Sequence, residues 1–324
     1  MPQGPPVGAG AAAPPVSAAP SGRQHRLCLG DQEAVVTEVG ATLRSYRLGG
    51  RPVVDEFALD EMCPGCRGQL LLPWPNRVGD GRYTFGGTQH QLPLNEPEAG
   101  NSIHGLTRWA AWEGELASPG RVEMRHRLLA QPGYPHCLEL TAVYALEEPG
   151  LRVSLTALNV GAAPAPFAAG AHPYLRVGTP TIDACRLQIP AATALRADHR
   201  GLPVGRMPVE GTQLDFREAR PIGGARLDTS FTDLARDADG LARVRLESPD
   251  GRRLGLWCDG AHGWLQIYSG DTLPPGRRRR ALAVEPMTAP PDAFRSGEDV
   301  VTLEPGQAFH AAWGVDVSDL RRAR

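Results

Sequence analysis

From residue 34 onward, apolar and polar positions alternate with a period of two, the pattern of strands that bury one face. Segment 121–129, "RVEMRHRLL", alternates apolar with charged residues, and segments 138–146 and 151–160 continue the habit on either side of "EEPG". Segment 244–259, "VRLESPDGRRLGLWCD", reads as a hairpin turned by Pro249, Asp250 and Gly251. Segments 264–270 and 308–317 are further strands. Nowhere does the spacing predict an amphipathic helix of useful length. The 38 glycines and 31 prolines suit the many turns such a chain needs. The prediction is an all-β fold: one large antiparallel β-sandwich whose long loops carry the function.

Composition adjusts this picture at the ends. The first 22 residues are rich in Pro, Ala and Gly and lack the cationic start and apolar core of a signal peptide, so they are expected to be a disordered tail. One domain is expected over 23–319, with 320–324 a second tail. The net charge of -2 gives no reason to expect nucleic acid or an anionic membrane surface as a partner. No apolar run is long enough to span a bilayer. Six cysteines occur, and only Cys63 and Cys66, in "CPGC", are close in sequence. A zinc ribbon needs a second such pair, so these two are read as a turn with free thiols. With no export signal and no dense cysteine framework, the cytoplasm is the expected compartment.

All 34 basic residues are arginine. That removes Schiff-base chemistry, the usual pyridoxal phosphate site and the P-loop, each of which needs a lysine. Metal-binding His-x-x-x-His and His-Glu-x-x-His spacings are absent, as is the G-x-S-x-G elbow. No cofactor and no metal are expected.

The polar residues that could carry chemistry sit beside prolines, glycines and aromatics. "LAVEPMTAPPDAF", 282–294, closes an apolar run on Glu285 and then Pro286. This reads as a strand end aiming a carboxylate into a pocket, or as a surface turn. "GAHPYLRVG" pins His172 against Pro173, which suits a proton donor near neutral pH or a structural turn. Asn76 and Arg77 follow two prolines in "PWPNR". "NSIHG" sets His104 near Trp109 and Trp112, whose faces would suit the C–H faces of a sugar or simply pack in the core. Asp228 in "RLDTSF" reads as a turn residue or a cap, and Gln266 in "WLQIYSG" as a hydroxyl binder or a groove lining.

Taken in order, "NR…G-x-Y-x-F-x-G…L-x-x-N…IHG…W", "G-x-HPYL", "LD-x-x-F", "LQIYSG" and "EPMTAPPDAF" resemble the aldose 1-epimerase (mutarotase) family over roughly residues 30 to 317. The resemblance implies a large β-sandwich and the interconversion of α and β anomers of a free hexose. It implies Glu285 as general base and His172 as general acid. It further implies Arg77, His104, Asp228 and Gln266 as the groups that hold ring oxygen and hydroxyls, with Asn76 preceding the arginine. Leu106 replaces the second glycine of galactose-type members, and "AHPYLRVG" stands where they carry "NHSYFNL", so galactose is not singled out over glucose. On this mechanism the carboxylate is ionised and the imidazole cationic, each holding the other's charge. Two rival expectations are a hexose-6-phosphate 1-epimerase, with "GRRRR" (276–280) either meeting the phosphate or forming a solvated loop run, and a non-catalytic carbohydrate-binding protein. The expected partner is a small-molecule sugar, and the expected state a monomer or homodimer.

Overall fold

The structure, a computed structural model, describes residues 19–322. Every strand pair in it is antiparallel. A nine-stranded sheet runs in the order Glu113–Ser118, Arg121–Leu128, Leu138–Leu146, Gly150–Asn159, Ala308–Asp316, Arg253–Cys258, Ala242–Glu247, Arg186–Gln188, Arg220–Pro221. An eight-stranded sheet runs Pro203–Pro208, Ala191–Ala197, Asp228–Leu234, Trp264–Tyr268, Leu282–Met287, Gly170–Ala171, Leu70–Leu71, with Tyr174–Leu175 also paired to Leu282–Met287. The period-two pattern explains how they pack. Leu138, Leu140, Ala142 and Tyr144 enter the core from one sheet in that alternation, and Leu265, Ile267, Leu282 and Val284 join the same core from the other, where both faces of the strands are buried. All belong to one core, the expected β-sandwich. Among the described residues α-helix is confined to two short pieces, Ala293–Ser296 and Ser318–Arg322, and no helix is long and apolar enough to cross a membrane.

The expected strands are present with small shifts: 121–128, 138–146, 150–159, 264–268 and 308–316. The hairpin at 244–259 pairs Ala242–Glu247 with Arg253–Cys258. Both tails need adjusting. Residues 1–18 lie outside the described residues, but Ser21 is buried and its carbonyl accepts from the Val39 N–H at 3.1 Å, so the fold already includes positions 19–22. At the other end Leu320 sits in a helix and packs on the core. Cys63 and Cys66 are free thiols around a single 3-10 turn, as expected.

One strand positions the site. Leu282–Met287 is buried at all six positions because the eight-stranded sheet is covered on both faces there. Leu282 and Val284 enter the main core, whereas Ala283 joins Tyr174 and Ala281 in a separate apolar cluster. By the strand's alternation, Glu285 shares the face of Ala283, away from the main core.

Candidate active site

Glu285 sits between two residues of the neighbouring strands. On one side Gln266 is its direct cross-strand partner. On the other, Gly170 pairs with Met287 and Tyr174 with Ala283, a register that sets His172 opposite Glu285. His172 is held there by its own backbone, donating to Gln69 O at 3.0 Å and accepting from Gly68 N at 2.9 Å. Pro173 then offers its carbonyl to Val284 N. The result is His172 Nε2 at 3.2 Å from Glu285 Oε1, with both side chains almost wholly buried. Among the described residues Glu285 Oε2 has no hydrogen-bond partner, and His172 Nδ1 bonds to no other residue.

The same face carries a polar row. Ser230 faces Gln266 across the strands and donates to its Oε1, while Gln266 Nε2 donates to Asp228 Oδ1 at 2.6 Å. The third wall comes from the loop–strand pair Arg77–Gly79 with Asn101–Ile103. Asn76 and His104 flank it, both with left-handed backbone (φ +54° and +63°), and clasp each other. His104 N donates to Asn76 O at 2.9 Å, and Asn76 N donates to His104 Nδ1 at 3.1 Å. That second bond fixes a tautomer: with Nδ1 accepting, the proton of the neutral ring lies on Nε2. Gly105 follows with φ +71°, and a Cβ there would fall 2.0 Å from Leu72 O, so only glycine fits. The His104 ring meets the His172 ring edge-on, centroids 5.5 Å apart.

All seven residues named from the sequence lie in one region: Asn76, Arg77, Asp228 and Gln266 line a cavity of about 30 Å³, and His104, His172 and Glu285 form a buried cluster joined to that lining through Asn76 and Gln266 without lining it themselves. That inner cavity has room for about one water. It shares Arg77, Gly201 and Asp228 with an outer hollow of about 430 Å³ that adds Glu96, His199 and Arg200. Trp109 and Trp112 do not take part: Trp112 is core and Trp109 is exposed. The residue that orients Arg77 lies outside the set that the sequence singles out. Glu96 grips the Arg77 guanidinium with both carboxylate oxygens, at 3.0 Å to Nε and 3.0 Å to Nη2, and Asn101 Nδ2 holds Glu96 at 2.8 Å. The only local sign of Glu96 is that it precedes a proline, which by itself says nothing about a partner nineteen residues away.

The charges at the centre differ from the expectation. Burial disfavours both ionic forms, and it dominates here. It lowers His172 well below the ordinary imidazole value, helped by the Arg67 and Arg108 guanidiniums. It raises Glu285 well above the carboxylate value, helped by Asp228 and opposed by Arg77. The free site thus favours a protonated Glu285 beside a neutral His172, not the expected carboxylate–imidazolium pair. His104 is lowered well below the ordinary value too, by burial and then by His172 and Arg108.

His104, His172 and Glu285 also bring potential metal-ligating atoms within 4.8 Å of one another, from three separate segments that no spacing rule connects. The donor set does not suit a metal as it stands, because His104 Nε2 carries its ring proton and offers no lone pair. The arrangement is one of proton donors and acceptors packed around a polar hollow.

Residues 25–313 match the family described as aldose 1-epimerase. The chain belongs to the aldose 1-epimerase family. It is 33% identical over 288 residues to "Uncharacterized protein YihR" of Escherichia coli K12, covering 89% of this chain and 91% of that one. It is 31% identical over 264 residues to the galactose mutarotase of Mus musculus, covering 74% and 75%. Among solved structures, the GalM/aldose epimerase homologue from C. elegans superposes with a TM-score of 0.80 at 20% identity, covering 91% of this chain and 98% of that one. The galactose 1-epimerase of Lactobacillus acidophilus superposes with a TM-score of 0.75 at 24% identity, covering 88% and 91%. These two share the sandwich fold with this aldose 1-epimerase family member.

Proposed function

We propose that this protein is an aldose 1-epimerase that interconverts the α and β anomers of a free hexose of glucose or galactose type. A cyclic aldose is a hemiacetal, and opening it requires a proton off the C1 hydroxyl and a proton onto the ring oxygen. Glu285 accepts the first and His172 supplies the second. The aldehyde then rotates about C1–C2, and the ring closes with the two groups exchanging roles. No covalent intermediate forms, and the scheme uses no cofactor or metal.

The observation that carries this reading is the in-register contact of His172 Nε2 with Glu285 Oε1 at 3.2 Å. At that distance one proton can pass between them. The pair needs one proton in total, and either partner can hold it before the sugar arrives. A C1 hydroxyl donating to Glu285 favours the carboxylate, and the proton then resides on His172. Arg77, Gln266, Asp228 and His104 are the groups placed to hold hydroxyls, with His104 Nε2–H a fixed donor.

The phosphorylated-sugar reading loses its motif support. No arginine of "GRRRR" lines the inner cavity or the outer hollow of the sugar cleft, and Arg277 pairs with Glu61 and Arg279 with Asp183 and Asp271. We place the protein in the cytoplasm as a monomer or homodimer acting on a soluble sugar.

Polarimetry on freshly dissolved α-glucose and α-galactose tests the proposal, with glucose 6-phosphate alongside. Wild type should speed the approach to anomeric equilibrium, and Glu285→Gln should bind the sugar yet lose roughly a hundred- to ten-thousandfold in rate. Saturable binding with no acceleration by wild type would make the protein a carbohydrate-binding member instead.

A further inference from the structure

We propose a second ligand site, for a small phosphate-bearing anion, in the arginine-lined cavity between the strands Gln24–Leu29, Gln32–Thr37 and Leu43–Leu48 and the loops at 56–61 and 277–280. This cavity holds about 580 Å³, the size range of small-molecule pockets, and shares no lining residue with the sugar cleft.

Its lining contains six arginines: Arg26, Arg44, Arg47, Arg176, Arg277 and Arg280. Three glutamates, Glu33, Glu56 and Glu61, lie among them, so the lining carries an excess of three positive charges. The chain as a whole is at -2, so this excess is local and built. The ion pairs on the page do not cancel it. Glu56 takes Arg47, and Glu61 takes Arg277. The fully buried Asp55 beneath serves four guanidiniums at once: Arg67 at 2.8 Å, Arg280 at 2.7 Å, Arg277 at 3.8 Å and Arg176 at 3.9 Å. Arg26 and Arg44 have no carboxylate within ion-pair distance among the described residues.

The donors tell the same story. Arg44 spends one N–H on Phe57 O at 3.0 Å, while its Nε is buried without a partner. Arg176 Nε is likewise buried and unpartnered. A buried N–H without an acceptor is costly, and both of these belong to arginines that line the cavity. Phosphate supplies what is lacking: multiple negative charge, several acceptor oxygens and a geometry matched to the guanidinium fork. Burial depresses Arg44 below the ordinary guanidinium value, opposed by Glu56 and helped by Arg26 and Arg47, a penalty an anion would relieve. The recessed shape suits a soluble phosphate or phosphate ester rather than a flat membrane or a nucleic acid.

Isothermal titration of the full chain with inorganic pyrophosphate, at low and at moderate salt, tests this. Wild type should bind one equivalent with a dissociation constant below about a millimolar, weakening as salt rises. Arg26→Gln with Arg44→Gln should weaken binding at least tenfold. Ala58→Asp, which adds a carboxylate to the lining without removing any arginine, should do the same, and both should melt near wild type. Arg77→Gln, in the sugar cleft, should bind pyrophosphate as wild type does. No saturable binding, unchanged binding in both cavity variants, or loss in Arg77→Gln would each overturn the assignment.

Discussion

Glu285 and His172 face each other across adjacent strands, side chains 3.2 Å apart, with the carboxyl raised and the imidazole lowered by the same burial. Such a pair titrates as a unit, and its two proton steps belong to both residues together. The working state holds one proton. It is lost upward when the pair gives that proton up, and downward when it takes a second. Because Glu285 is raised and His172 lowered, these steps lie far apart. The expected profile of kcat/KM is therefore a wide plateau, with its acid limb well below the free imidazole value of 6.5 and its alkaline limb well above the free carboxylate value of 4.5. Polarimetry against buffer blanks across pH checks it. An acid limb at the free imidazole value would mean that His172 titrates as though exposed.

The same burial has a consequence for stability. Glu285 is raised in the folded state, so folding favours its protonated form, and stability from this group is full below 4.5 and falls as pH rises toward the folded value. A glutamine does not titrate. Glu285→Gln should therefore melt higher than wild type at neutral pH. The gain should shrink as pH approaches 4.5. Thermal melts of both proteins over that range decide it, and a gain that grows toward acid would reverse the sign of the shift.

The fold was legible because most strands bury one face. Leu138–Leu146 alternates, and its bounds could be read directly. The short strands Leu70–Leu71, Gly170–Ala171 and Tyr174–Leu175 could not, since they are buried on both faces and have no alternation to show. These are the strands that set His172 against Glu285, so the central distance of the site lay in a register invisible to pattern. Single residues were legible where a proline or glycine marks a constrained backbone, as at His104–Gly105. Glu96 was not, because its role is a contact rather than a conformation. The charge state was not legible for the complementary reason. Opposite charges imply mutual stabilisation only when solvent is left out of the balance, and here burial outweighs the pairing.

Glu96 is a positioning residue, holding Arg77 by two parallel hydrogen bonds at 19% and 26% side-chain exposure. Removing the carboxylate frees the guanidinium to swing while leaving Glu285 and His172 in place. Glu96→Ala should raise KM by about tenfold, corresponding to roughly 1.4 kcal/mol of lost sugar binding, with kcat changed far less. Glu96→Gln, which retains one acceptor, should recover part of the affinity. Steady-state polarimetry separates the two constants. A fall in kcat with unchanged KM would show that Arg77 acts on the transition state rather than on sugar binding.

Gly201 tests the outer wall of the cleft. Its φ is +76°, and a Cβ placed there would stand 2.7 Å from Arg77 Nη1. Gly201→Ala therefore does two things: it strains the backbone, at about 1–2 kcal/mol for a left-handed alanine, and it presses on the guanidinium. Gly211 separates these effects. Its φ is +71°, and a Cβ there meets nothing within 4 Å. Gly211→Ala should lower the melting temperature and leave KM alone. Gly201→Ala should lower the melting temperature similarly and also raise KM several-fold, because the Arg77 fork can no longer sit against the loop. Equal KM values in the two variants would mean that the loop carrying Gly201 stands clear of the guanidinium when sugar binds.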